Sequence, residues 1–348
     1  MEEYNVSITP FVTIVISARN EEDHIIECIQ SCLNQNYPNH LLEIIVVDDQ
    51  SEDNTYELVE SIEDPRLLLM RLGVNRRTTI KGSKKKALAY GINHAKGEII
   101  CTTDADCIVP ENWVKTLVGY FSNQSIKFVS GPVKIKETKN FINRFQSMDF
   151  SANGLVNAAG IHTKQFYLAN AANLAYRKAV FLEEDAFENN YNIASGDDVF
   201  LLEKIRLKYP YGIAFAKSQE AIVETRGLTE WSSFISQRLR WAGKMSIVKD
   251  WNLKVLPAFV WIQRVSLFAL FIAGILQFNL ILLMISFSCF MMQWLVDFIL
   301  QMDACRFYKI RNWEIWFIPT AFLHNIYFIL LGILSWLPIS TDWKGRRV

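Results

Sequence analysis

From Val265 through Met302 the chain carries one formally charged residue, Asp297. A bilayer is crossed by about 20 consecutive apolar residues, and a run this long has no ordinary place in the core of a soluble domain. The stretch 255–302 holds 48 residues, enough for two crossings, and Gln277 and Asn279 interrupt it near its middle. A helical hairpin turning there is expected, with apolar segments 255–276 and 279–302. Arg264 lies inside the first segment and must face protein or snorkel to the interface. A third segment, 315–337, is long enough to cross as well, although Pro319, His324 and Asn325 admit a kinked or re-entrant path.

The rest of the chain is of a different kind. Lys and Arg number 36, Asp and Glu 36, so no basic excess points to nucleic acid. "MEEYNVSITP" has neither a cationic region nor an apolar core, so it does not read as a signal peptide, and the chain is expected to begin in the cytoplasm. Six cysteines without a CxxC pair read as reduced thiols.

Between residues 11 and 106, strand-like and helix-like runs alternate. "FVTIVIS", "LEIIVVDD", "RLLLMRL" and "EIICTTD" are short and apolar. Between them, "IIECIQSCL", "SEDNTYELVESI" and "KKKALAYGINHA" have helical character, with Asn20 a candidate cap for the first and Gly97 a candidate stop for the last. Such alternation predicts βαβ units and a mainly parallel sheet with both faces covered. Beyond residue 107 the pattern loosens. "PENWVKTLVGYF" and 141–159 read as helices, "IKFVSGPV" as one strand, and "ASGDDVFLLEKIRLK" as a helix with Asp197 and Asp198 at its start. "EWSSFISQRLRWAGK" is an amphipathic basic helix of a composition that favours a membrane surface. Three regions follow: a catalytic domain over 1–228, an interfacial region over 229–254 and a membrane region over 255–348.

Open α/β sheets bind ligands beyond the carboxyl ends of their strands. Ser17, Asp48 with Asp49, and Asp104 with Asp106 all fall at such ends. An Asp-x-Asp pair there suits Mg2+ or Mn2+ bridging a diphosphate, because hard cations take oxygen ligands and keep positions open for phosphate. Lys81, Lys84, Lys85 and Lys86 precede the Asp-x-Asp strand and can meet phosphate as point charges. An acceptor hydroxyl needs a general base, and "SGDDVFL" offers one. "QRLRW" (237–241) offers Gln and Arg for diphosphate oxygens and an indole for a sugar ring or the lipid interface. Each piece alone has a bland counterpart in solvated turns, helix caps or interface anchors.

In this order, "VTIVISARNEE", "EIIVVDDQSEDNT", "KKKALAYG", "TTDADC", "SGDDVFL" and "QRLRW" resemble the inverting family 2 glycosyltransferases with a membrane-bound C-terminal region. That group includes cellulose, chitin and hyaluronan synthases and lipid glycosyltransferases. The resemblance covers roughly 11–245 and implies a GT-A-like nucleotide-diphospho-sugar transferase domain followed by membrane helices. It implies donor contacts from Ser17, Arg19, Glu21, Asp48, Asp49, Lys84, Asp104, Gln237 and Arg240. It implies metal binding by Asp104 and Asp106, a catalytic base in Asp198, and acceptor contacts from Trp241 and Asp197, with "NAANLAYRK" lining the acceptor pocket. Ala89 departs from the usual asparagine of the lysine motif, and Asp197 from a more common glutamate.

The expected activity is metal-dependent inverting transfer from a UDP- or GDP-sugar to a lipid-linked or saccharide acceptor, in a multi-pass protein of the inner membrane with its catalytic domain in the cytoplasm. An oligomer or accessory membrane subunit stays open. So does parity: positive charge near 244–254, in a loop over 303–314 and in the tail asks for an even number of crossings, against three apolar segments. A processive synthase, a non-catalytic nucleotide-sugar-binding scaffold and a nucleotidyltransferase are the alternatives. Product length, Mn2+-dependent donor hydrolysis and pyrophosphate release separate them.

Overall fold

The computed structural model describes residues 9–73, 83–183, 196–245, 248, 250–336, 342–343 and 346–347. Lys81, Lys249, the side chains of Asp197 and Lys244, the first eight residues and the side chains of the basic tail lie outside the described residues.

The elements run β1 (Val12–Ala18), α1 (Ile25–Leu33), β2 (Leu42–Asp48), α2 (Thr55–Glu60), β3 (Leu67–Arg71), α3 (Lys84–His94), β4 (Ile99–Asp104), α4 (Trp113–Gly119), β5 (Phe128–Ser130) and β6 (Val133–Ile135). They continue with α5 (Phe141–Thr163), β7 (Leu174–Arg177), α6 (Lys178–Glu183), α7 (Asp197–Lys208), β8 (Ile213–Phe215), β9 (Val223–Thr225), α8 (Trp231–Met245), α9 (Asn252–Leu276), α10 (Leu280–Tyr308) and α11 (Trp313–Leu334).

The main sheet has strand order β3-β2-β1-β4-β7-β5-β8. Its first four strands are parallel, as the alternating pattern predicts. β7 then enters antiparallel between β4 and β5, which makes the sheet mixed. Alternate side chains of each central strand pack to opposite faces. Ile14, Ile16, Ile44 and Val46 meet α1 and α4 on one side. Val15, Ile45, Val47 and Ile100 meet α3 and α7 on the other. Both faces are thus dry, so the strands read as continuous apolar runs.

Four local expectations are corrected. α1 begins after His24, and Asn20 does not cap it. Asn20 instead adopts φ +50°, which asparagine tolerates, and its Oδ1 accepts the Glu52 N–H at 2.9 Å, tying the loop after β1 to the loop after β2. Gly97 does not end α3, which stops at His94 with Ala95 extended. A Cβ on Gly97 would lie 2.4 Å from the Thr13 backbone nitrogen, so close chain approach, not helix termination, requires glycine. "IKFVSGPV" is two strands: β5 joins the main sheet and β6 pairs with β9 in a small second sheet, because Gly131-Pro132 breaks the run. The basic segment 303–314 is mostly helical, since α10 runs on to Tyr308 and only 309–312 connect it to α11.

α9, α10 and α11 are each long and apolar enough to cross a membrane. The hairpin turns at Gln277–Asn279 as expected, with Phe278 at φ +49° and Asn279 Oδ1 accepting the Leu282 N–H at 3.2 Å. α11 is one continuous helix despite Pro319. Arg264 faces protein: its guanidinium hydrogen-bonds to Asn325 and pairs with Asp297 at 3.5 Å. Outward, Phe259, Ile281, Ile315 and their neighbours stay exposed, an apolar belt too extensive for a water-facing surface. α8, expected to rest on lipid, turns its apolar face inward. Phe234 is fully buried against Phe145 of α5 and Tyr327 of α11.

Candidate active site

The site is built on the carboxyl ends of β1, β2 and β4. Parallel register sets Ser17 beside Asp104, and the Asp49 N–H donates to the Ala18 carbonyl at 2.8 Å, so three strand ends share one rim. Arg19 reaches across that rim and donates through Nη1 to the carbonyls of Asp49 and Gln50, both at 2.8 Å. Its Nη2 meets the exposed Glu52 at 3.1 Å. Glu21 lies at the start of the following loop, its N–H donating to Thr55 Oγ1 at 2.7 Å. Asp48 is buried, and it is held by Arg71 Nε at 3.0 Å and the Ser51 N–H at 3.1 Å. Asp49 is equally buried beside it.

Ser83 caps α3, its hydroxyl accepting the Lys86 N–H, and so aims the first helical residues at the rim. Lys84 Nζ donates to Asp104 Oδ1 at 2.5 Å. Asp104, Asp106 and Cys107 bring one ligand atom each within 4.8 Å of one another. The carboxylates are half-buried and open to solution; Cys107 is buried. Burial and the two adjacent carboxylates push its thiol up, which keeps it protonated, and Sγ–H donates to Asp106 Oδ1 at 3.4 Å. Two accessible carboxylates fit a hard divalent cation with open positions, and a protonated thiol leaves the ligation to oxygen.

Asp198 comes from α7, which packs on the same face of the sheet as α3. Gly196, at φ +90°, turns the chain into α7 in a conformation that only glycine adopts without strain. Asp198 Oδ1 then accepts the Val199 N–H at 2.8 Å and Oδ2 the Ala171 N–H at 3.3 Å, fixing the carboxylate against the "NAAN" loop. Asn173 pins that loop: Trp113 Nε1 donates to its Oδ1, and its Nδ2 donates to the carbonyls of Pro132 and Ala221. Lys85, almost fully buried, sets its ammonium 4.4 Å from the Phe200 ring centroid. The start of α3, which holds Asp104 through Lys84, is thereby packed against the start of α7, which carries Asp198. The rim residues and Asp198 thus stand around one edge of the sheet.

Gln237, Arg240 and Trp241 lie on α8. Burial lowers the Arg240 guanidinium from its ordinary value, and Trp241 packs on Phe150 of α5 with centroids 6.2 Å apart. α8 is anchored by a group that the sequence reading did not single out. Arg238 Nη2 meets Asp149 Oδ2 at 2.9 Å, and His324 Nε2 stands 3.2 Å from Asp149 Oδ1. A lone histidine in an apolar segment and a lone aspartate in a mixed helix were the available signals.

This architecture is the GT-A fold of nucleotide-sugar transferases. The mannosyltransferase PcManGT from Pyrobaculum calidifontis, solved with GDP-Man and Mn2+, has the same fold at TM-score 0.53 and 17% identity, over 95% of this chain and 88% of that one. The profile described as glycosyl transferase family 2 matches residues 13–181, and that of glycosyl transferase family group 2 matches 99–336. The chain belongs to the family 2 glycosyltransferases. The probable glycosyltransferase YdaM of Bacillus subtilis is 27% identical over 75% of this chain and 60% of its own length. The β-monoglucosyldiacylglycerol synthase of Synechocystis is 25% identical over 75% of this chain and 53% of its own. The chain thus spans between about half and three-fifths of the length of these relatives.

Proposed function

We propose that the chain transfers a sugar, with inversion, from a nucleoside-diphosphate donor to a lipid-linked or saccharide acceptor at the cytoplasmic face of a membrane. The observation that carries this reading is the rim itself: Asp104 and Asp106 beside Lys84, with Asp198 held across the same sheet edge. A relative that makes β-monoglucosyldiacylglycerol supports a lipid acceptor, and a neighbour that holds GDP-Man and Mn2+ supports the donor class. Three apolar helices directly after α8 support a membrane-borne acceptor.

The roles proposed for the residues are those that the resemblance to the family implies. Asp49, with Asp48 locked beside it by Arg71, meets the base. Ser17, Arg19 and Glu21 meet the nucleoside. Lys84, Gln237 and Arg240 meet the diphosphate. Asp104 and Asp106 would hold Mg2+ or Mn2+, which supplies positive charge to the diphosphate oxygens when bound. Asp198 takes the proton from the acceptor hydroxyl while that oxygen bonds to C1 from the face opposite the diphosphate. The C1–O bond to the diphosphate breaks with its electron pair, and Lys84 and Arg240 stabilise the charge that departs. One displacement turns an α-linked donor into a β-glycoside. Trp241 lines the acceptor side, and α9–α11 bring the lipid to it.

Membranes containing the chain, incubated with a panel of labelled UDP- and GDP-sugars plus Mn2+, test this reading. Label in the lipid or polymer extract, absent when Asp198 is Asn, is the expected result. Release of pyrophosphate from a nucleoside triphosphate, with no sugar transferred, would replace it with a nucleotidyltransferase.

A further inference from the structure

A buried group of charged side chains lies outside the rim, where α5, α8 and α11 meet. The side chains of Asp149 and Arg238 are 5% and 6% exposed. Asp149 Oδ2 takes Arg238 Nη2 at 2.9 Å; Oδ1 faces His324 Nε2 at 3.2 Å and accepts Asn153 Nδ2 at 3.2 Å. Burying an ion pair gains little stability over an apolar replacement, so such a pair is best understood by the geometry it fixes.

That geometry concerns α8. Arg238 and Trp241 are three residues apart on one helical face, and the guanidinium carbon lies 4.4 Å from the Trp241 ring centroid. The same guanidinium sits 4.8 Å from the Phe234 ring and 5.9 Å from the Phe150 ring. Holding Arg238 on Asp149 therefore sets both the rotation of α8 and the plane of the Trp241 indole. The remaining oxygen of Asp149 is held from α11. The next residue of α11, Asn325, takes Arg264 of α9 and accepts Gln293 Nε2 of α10 at 2.7 Å. Adjacent positions of one apolar helix thus grip the sugar-transfer domain and the helical hairpin.

We infer that Asp149, Arg238 and His324 are positioning residues that set the acceptor-side face of α8, and Trp241 in particular, from the apolar helix α11. This rests on the reading of α8 as the helix beside the acceptor. The relay touches neither donor nor reacting atoms. Its loss disturbs transfer to the acceptor and spares what happens at the rim.

The test uses the full chain in phosphatidylcholine nanodiscs with diacylglycerol as acceptor probe, and with water as the second acceptor in donor hydrolysis. Asp149→Asn and His324→Gln are expected to raise the acceptor KM about tenfold while donor KM and hydrolysis stay within about twofold. Combined with Trp241→Ala, Asp149→Asn is expected to add less than about twofold, because coupled residues are not additive. Full additivity, or equal loss on both acceptors, overturns the inference. Where Asp149→Asn fails to fold, His324→Gln, which removes only the imidazole contact and leaves the Arg238 and Asn153 contacts to Asp149, carries the same cycle. Hydrogen exchange of residues 237–241 gives a readout independent of the acceptor. Faster exchange in His324→Gln at unchanged unfolding temperature supports the relay, and unchanged exchange overturns it. A wild-type chain that transfers sugar to nothing defeats the proposed function and leaves the exchange result to decide the relay.

Discussion

Lys84 Nζ lies 2.5 Å from Asp104 Oδ1, so a fixed cation already occupies one side of the Asp-x-Asp pair. In the proposed reading, a divalent cation held by Asp104 and Asp106 would compete with Lys84 for Asp104, and a diphosphate would relieve that competition by offering the lysine its own oxygens. A part-exposed pair of this kind is worth about 1 kcal/mol. Lys84→Met is expected to tighten Mn2+ binding to the free protein a few-fold. The same variant weakens nucleoside-diphosphate binding by roughly tenfold to a hundredfold, the cost of a lost charge-assisted contact of about 1.5–3 kcal/mol. Calorimetric titration with Mn2+ alone, then with UDP or GDP in the presence of Mn2+, reads the two effects separately. Equal weakening of both ligands contradicts the competition.

Asp198 is oriented by two backbone N–H groups, from Val199 and Ala171, and Asn preserves its shape. Asp198→Asn is expected to leave donor affinity within about twofold and to lower transfer by about 10²–10⁴, the usual worth of a positioned general base. Donor binding and single-turnover transfer measured on the same preparation check this. A variant with near-normal turnover removes Asp198 from the base role.

The alternating half of the fold is legible because its strands are five to seven residues long and β1, β2 and β4 are dry on both faces, so pattern and burial agree there, while the edge strand β3 is only partly covered. The later half is not, since β5, β6, β8 and β9 have three residues each, too few to show a period. An antiparallel β7 between β4 and β5 leaves no mark in its own residues, because its neighbours come from distant segments. The rim residues are short motifs at strand ends and could be read singly. The Asp149 group could not, as Arg238 is 89 residues and His324 175 residues away in sequence.

Acid exposes the same group. Burial alone would raise the Asp149 carboxyl, but the Arg238 charge with His324 and Asn153 brings it below its ordinary value. A carboxyl that titrates lower when folded than the ~3.9 of an unfolded chain contributes stability that is complete above that pH. The contribution fades as pH falls through the folded value. Unfolding in detergent from pH 7 to pH 3 is expected to show a flatter acid limb for Asp149→Asn than for the wild type. At neutral pH that variant leaves Arg238 buried without its counter-charge, a loss of about 3–5 kcal/mol. Parallel acid limbs would exclude Asp149 as a source of the slope.

The Arg264–Asp297 pair is the corresponding device among the apolar helices, with Arg264 6% and Asp297 31% exposed. Charges placed within such helices persist when they are paired inside the bundle. Arg264 joins all three helices, through Asp297 on α10 and Asn325 on α11. Arg264→Met leaves Asp297 with no counter-charge from Arg264, and its cost is about 3–5 kcal/mol by analogy with broken buried pairs. Replacing both charges, Arg264→Met with Asp297→Leu, removes the cause of that cost, and the double variant is expected to recover most of the lost unfolding temperature. Recovery of stability with slower sugar transfer would assign the pair to alignment of α11. Recovery of both would make it a packing device. A double variant as unstable as the single one would contradict the pairing itself, and detergent-solubilised melting curves of the three variants distinguish these outcomes.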